Sequence, residues 1–167
     1  MRGFFLFLIL LGYFNVGYAQ TQIETQTSLL QPCKDQQFKI SFYCDPNWEI
    51  VSQKDVMVIY LSKENPELTL TIARSEAYVI FLDQLNKSVI QEIGHLKDGF
   101  DTTKAKLGEQ EAILATGKSN QEVNTYLEEY FVIYDFNLYG FYFSYNPHDP
   151  RRDYPLVKKV TESIRFF

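Results

Sequence analysis

The patterning of this chain predicts an α+β fold: one antiparallel β-sheet of about six to seven strands, flanked by two main helices. Three observations carry that prediction. Apolar and polar residues alternate in stretches such as "FKISFYC" (38–44) and "LTLTIAR" (68–74), the mark of a half-buried strand. The period shifts to three-and-four spacing in only two places, around residues 82–96 and 153–164. The strands come in runs instead of alternating with helices, which favours antiparallel pairing.

The opening "MRGFFLFLILLGYFNVGYAQ" is set apart from this body. Arg2 is its only charge, residues 4–11 are unbroken apolar, and Gly17 and Ala19 supply the small residues of a cleavage site. Residues 1–19 therefore read as a secretory signal peptide, too short for a span of about 20 residues. Residues 20–28, rich in Gln and Thr, read as a flexible leader, and residues 29–167 as a single domain.

Within the domain the first strand, 38–44, ends at Asp45-Pro46-Asn47, because proline fixes its own backbone and pushes its predecessor into an extended shape. Residues 55–62 and 68–74 form a hairpin across the turn chemistry of "KENPE". Leu82, Leu85, Val89, Ile90, Ile93 and Leu96 make one helix face, with Asn86, Lys87, Gln91 and Glu92 opposite and Gly99 as a stop. "FDTTKAKLG" and "EQEAILATG" are two further strands. "TYLEEYFVIYDF" and "FYFSYNP" are a long hairpin connected through "NLYG", and half of residues 126–145 are aromatic. The last helix is "DYPLVKKVTESIRFF", with Asp153 as cap, Pro155 in the first turn and Leu156, Val157, Val160 and Ile164 inward.

Taken in order, these pieces resemble the PsbP-like family. "FKISFYCDPNWEI" is similar to the strand followed by Pro-x-Trp that opens such domains. The helix from Leu82, the aromatic hairpin and a closing helix ending Ser163-Ile164-Arg165-Phe166 follow in the family's sequence. The resemblance implies a PsbP-like sandwich. In that sandwich Pro46 sets a turn, Trp48 plugs the interface between sheet and helix, and Phe42 and Ile164 belong to the core. It also implies kinship with an extrinsic subunit that helps retain calcium and chloride at photosystem II, and with Mog-type Ran-binding proteins, neither an ordinary enzyme. Two departures separate this chain from a photosynthetic role: a plain secretory signal, and acidity where docking in that family uses basic patches.

A net charge of −5 excludes the basic stripe of a nucleic-acid binder. The even pair Cys33 and Cys44 permits a disulfide in an exported protein, two separate small hydrophobes being the competing reading. A bridge requires the chain to reverse in "KDQQ". The hydrolase, phosphate-loop, zinc-protease and EF-hand motifs are missing, so the sequence assigns no catalytic, cofactor-binding or metal residues; calcium enters by resemblance alone. His95 reads as a helix-end cation. His148, with Arg151 and Arg152, reads as a solvated connection or an anion grip. Glu128 and Glu129 fall on opposite strand faces and cannot converge. Asn86-Lys87-Ser88 matches a glycosylation acceptor. The best functional lead is the aromatic hairpin: Phe141, Phe143 and Tyr145 on one face, Tyr142 on the other, an interaction surface if either stays exposed.

These readings point to an exported, non-enzymatic interaction module or accessory subunit at the outer face of a membrane. Its partner is an unidentified protein, with a membrane complex among the options, and no transmembrane span remains after signal cleavage. The alternatives are a carrier of a small apolar ligand and a photosystem II accessory protein with calcium binding.

Overall fold

The computed structural model describes residues 30–63, 68–93, 97–119, 125–146 and 150–167, the side chains of 92, 93, 97–100, 119 and 150–154 excepted. The expected signal peptide (1–19) and leader (20–28), His95 and His148 lie outside them. The described elements, in chain order, are β1 (Gln31–Asp35), β2 (Ile40–Cys44), β3 (Trp48–Lys54), β4 (Met57–Ser62), β5 (Thr69–Glu76), α1 (Leu82–Ile93), β6 (Lys97–Leu107), β7 (Gln110–Ser119), β8 (Tyr126–Tyr134), β9 (Asn137–Tyr145), α2 (Pro150–Ser163) and β10 (Arg165–Phe166).

Seven strands form one antiparallel sheet in the order β3-β4-β5-β9-β8-β7-β6, and three form a second sheet, β1-β2-β10. Alternation decides what each face meets. Ile40, Phe42 and Cys44 on β2 are buried while Tyr43 is exposed. They pack on Val58, Tyr60, Leu70 and Ile72 of the large sheet and on Tyr139, Phe141, Phe143 and Tyr145 of β9, with Val157, Val160 and Ile164 of α2 completing the cluster. The opposite face carries a smaller cluster in which Leu85 and Val89 of α1 meet Ile113, Ala115 and Phe131. Ile90, expected on that stripe, is exposed, and Asn86, expected outside, turns its Oδ1 inward. The apolar arc of α1 is therefore rotated toward Leu82, Leu85 and Val89.

Three local features close the layers. The β1–β2 reversal falls at residues 36–39, where an Asp35 carboxylate oxygen accepts from the Phe38 amide at 3.0 Å. Cys33 and Cys44 are joined by a disulfide across this pair, with Cα atoms 5.8 Å apart. Gly108, at the β6–β7 turn, holds φ +60° and donates its amide to the Thr161 carbonyl at 2.8 Å. A Cβ there would strike the Ile164 carbonyl oxygen, so glycine is required. Phe166 stacks on Tyr134 at 4.6 Å and meets Tyr139 edge-on, sealing the end of the core.

Several expectations are corrected. β1, β3 and β10 are strands that patterning did not single out. The β8–β9 turn is at Asp135-Phe136, and residues 137–140 belong to β9. Helix α2 starts at Pro150, so Asp153 and Pro155 lie inside it and not at its cap. Phe42 and Ile164 are buried, but Pro46 is exposed in the turn between β2 and β3. Trp48 begins the edge strand β3. It is half-buried on the rim of the core, 6.3 Å from Tyr60, not a plug between sheet and helix.

Candidate contact surface

The aromatic hairpin is core. Phe141, Phe143 and Tyr145 lie under the small sheet and α2, all buried, so they are not an interaction surface. Tyr142 points the other way, half-buried, and meets the Phe131 ring edge-on at 5.7 Å. Strands bearing aromatics on both faces are accounted for because both faces are covered here, one by strands and α2, the other by α1. Arg151 and Arg152 fall in the first turn of α2.

The same hairpin buries carboxylates. Glu128 sits on the inner face beside Phe143, and its two oxygens accept from the Tyr130 hydroxyl in a short hydrogen bond and from the Tyr145 hydroxyl at 3.2 Å. Glu129, on the opposite face as alternation requires, lies across from Tyr142. The phenols respond. Burial, then the Glu128 charge and hydrogen bond, push Tyr145 well above the usual range. Burial, then Glu129, push Tyr142 up to about 12. Tyr60 rises through burial and then through Asp35, which is both a neighbouring charge and its hydrogen-bond partner. All three phenols thus hold their protons well beyond the usual tyrosine range, Tyr60 and Tyr145 also through a hydrogen bond to a carboxylate. These units fix carboxylates inside the sheet; they do not present a reactive group to solvent. Among the described residues no group of three His, Cys, Asp or Glu is placed to hold a metal, and no helix is long and apolar enough to cross a membrane.

What reaches solvent is elsewhere, at one end of the large sheet. There the β3–β4 turn, the 77–81 segment and the β8–β9 tip converge: the Arg74 amide donates to the Val56 carbonyl at 2.9 Å, and the Ala77 amide to the Phe136 carbonyl at 3.0 Å. Tyr78 is 91% exposed, Phe136 80%, Ile80 68%, Phe81 61% and Val56 59%. Only Val79 of that segment turns in, against the α1 cluster.

Two of these aromatics occupy positions that local chemistry disfavours. Asp135 and Phe136 both have positive φ, 48° and 58°, the geometry of a two-residue hairpin turn that selects Asn-Gly or Asp-Gly. A phenylalanine there carries strain of roughly 1–2 kcal/mol, and packing offsets none of it. Phe81 stands where α1 begins: its carbonyl accepts from the Gln84 and Leu85 amides at 3.1 and 3.0 Å. That is the cap position, where a Ser, Thr, Asp or Asn side chain would satisfy an orphan amide. Residues that break local rules in this way are expected at strained or functional sites. Sequence reading passed over both, although the signal was present: a phenylalanine in the "DFN" turn, and the uncharged run "AYVIF" entering a helix without a capping side chain.

Comparison with solved structures places this architecture. The solution structure of the cyanobacterial PsbP, CyanoP, from Synechocystis sp. PCC 6803 superposes with a TM-score of 0.64 at 13% identity, covering 84% of this chain and 94% of that one. The fold is PsbP-like. A protein from Bacteroides thetaiotaomicron gives a TM-score of 0.60 at 6% identity, covering 82% of this chain and 48% of its own. A Pseudomonas aeruginosa protein of unknown function gives 0.52 at 14%, covering 80% and 94%. No protein-family profile matches the sequence, and no curated protein matches it. At these identities the likeness is one of fold. On this PsbP-like scaffold the exposed apolar end is a feature of the chain's own turns.

Proposed function

We propose that this PsbP-like domain is an exported, non-enzymatic docking module, an accessory at the outer face of a membrane, and that it docks through the end bearing Tyr78, Ile80, Phe81 and Phe136. The observation that carries the reading is the pair of misplaced aromatics. Phe81 at a helix cap and Phe136 in a left-handed turn are kept exposed at a cost to the fold, which a contact made outside the fold would explain. The photosystem II alternative, with its calcium, draws support from the fold alone.

Site-specific photocrosslinking in the native envelope tests the proposal. A crosslinker at Phe136 is expected to capture a neighbour, whether lipid or protein. One at Tyr43, exposed on the small sheet, serves as the control and is expected to capture none. Equal yields from the two positions would remove the basis for the reading.

A further inference from the structure

We propose that the Cys33–Cys44 disulfide is a redox-sensitive clasp. A dithiol reductant that opens it frees the leading end of β1 and bares the outer edge of β2, while the rest of the fold stays closed. The two ends of β1 are held in different ways. At the turn end the buried Asp35 carboxylate accepts from the Phe38 amide and from the Tyr60 hydroxyl. The Arg74 guanidinium donates to the Gln37 carbonyl at 2.8 Å, and the Gln37 side-chain amide donates to the Lys54 carbonyl at 2.8 Å. These contacts fasten the reversal to β3 and β5 of the large sheet. In the middle, exposed Lys34 covers the Phe167 ring at 4.3 Å. At the leading end Gln31 and Pro32 are exposed, and Cys33 is half-buried against the core. The bridge therefore closes the end of the strand that buries least.

The ladder shows which bonds the clasp protects. β1 is an edge strand, hydrogen-bonded to β2. The register sets Gln31 against Cys44, Pro32 against Tyr43 and Cys33 against Phe42. The Tyr43 amide is turned away, to the Ser163 hydroxyl at 2.8 Å. By alternation the amides of Phe42 and Cys44 face β1. Pro32, opposite Tyr43, lacks an N–H where one would point away from β2, as an edge strand tolerates. The chemistry starts at Cys33, since Cys44 is only 3% exposed. A thiolate of the reductant bonds to Cys33 Sγ; the S–S bond breaks, and its electron pair leaves on Cys44 Sγ, which takes a proton. The second thiolate of the reductant then displaces Cys33 Sγ, which is protonated in turn. The reductant ends as a disulfide, and the protein holds two thiols.

The test is residue-resolved amide exchange by NMR on the purified protein, oxidised and in dithiothreitol without denaturant, with free thiols counted by Ellman's reagent. On reduction the Phe42 and Cys44 amides are expected to exchange faster by about tenfold or more. The Tyr43 amide, and those of Ile72 and Phe141 on the central strands β5 and β9, should be unchanged. Cys33→Ala/Cys44→Ala should exchange like the reduced protein and ignore dithiothreitol; if that variant does not fold, reduced wild-type protein decides alone. A rise shared equally by Tyr43 would make the bridge a staple of the whole layer. Unchanged exchange at Phe42 and Cys44, in protein whose thiols are free, would show that β1 stays in place without it. A bridge that resists dithiothreitol in the folded protein is no clasp. Each of these three results overturns the proposal.

Discussion

Replacing Phe136 with glycine should make this protein more stable, an unusual outcome for removing a large aromatic. The ring is as exposed in the folded chain as in a realistic unfolded one, so its deletion forfeits no burial. The φ of +58° costs an L-residue roughly 1–2 kcal/mol, and glycine removes that. Glycine's greater freedom in the unfolded chain returns roughly 0.5–1 kcal/mol. The net expectation is a gain of about 0.5–1 kcal/mol, helped by the Asp-Gly sequence that such turns favour. With a urea slope near 2 kcal/mol/M, the midpoint should rise by about 0.3–0.5 M, read from the fluorescence of the single Trp48. A fall in the midpoint would refute the reasoning, because it would mean that the ring packs on something and that its exposure is no sign of an external contact.

Phe81→Ser should likewise stabilise α1, by about 0.5–1 kcal/mol, since a serine oxygen can cap an amide of the first turn; thermal melts would detect the gain. Gly108→Ala combines a positive φ with a collision against the Ile164 carbonyl and should cost about 2–4 kcal/mol, measured as a lowered urea midpoint. Reducing Cys33–Cys44, which are 11 positions apart, should cost about 2–3 kcal/mol, visible on comparing denaturation with and without dithiothreitol. Stability should also fall as pH rises above 10. An unfolded tyrosine loses its proton near 10.0, while folded Tyr142 keeps its proton to about 12. Its contribution is therefore full below pH 10 and lost on the way to 12. The loss is about 2 kcal/mol from Tyr142, with Tyr60 and Tyr145 acting in the same direction. Urea midpoints that stay flat from pH 9 to 12 would contradict this.

The strands with clean alternation were legible in the sequence, because burial on one face leaves a period of two: β2, β4 and β5. β3 left no such trace. Glu49, Ile50 and Val51 are all exposed on an edge strand, and the register shifts between Ile50 and Ser52, so no face is uniformly apolar. β10 is two residues long, and nothing local distinguishes it. The hairpin turn was misplaced because "NLYG" has turn residues at both ends, yet Asn137 and Gly140 pair within the sheet opposite Tyr134 and Phe131. The aromatic stripe was visible, but not what covers it, since that depends on β2 and α2 arriving from distant parts of the chain. The exposed end needed the backbone. Only the positive φ at Phe136 and the hydrogen bonds accepted by Phe81 show that these rings stand where other residues belong.

The small sheet has a consequence for how the chain comes together. β2 pairs with β10, and the Tyr43 amide donates to the Ser163 hydroxyl 120 positions away. During synthesis β2 therefore emerges long before the segment that completes its second edge. Its apolar side chains and second-edge amides stay unpaired with β10 until then. High contact order of this kind slows folding. The chain's last residues are therefore needed to complete the layer that its first described strands begin.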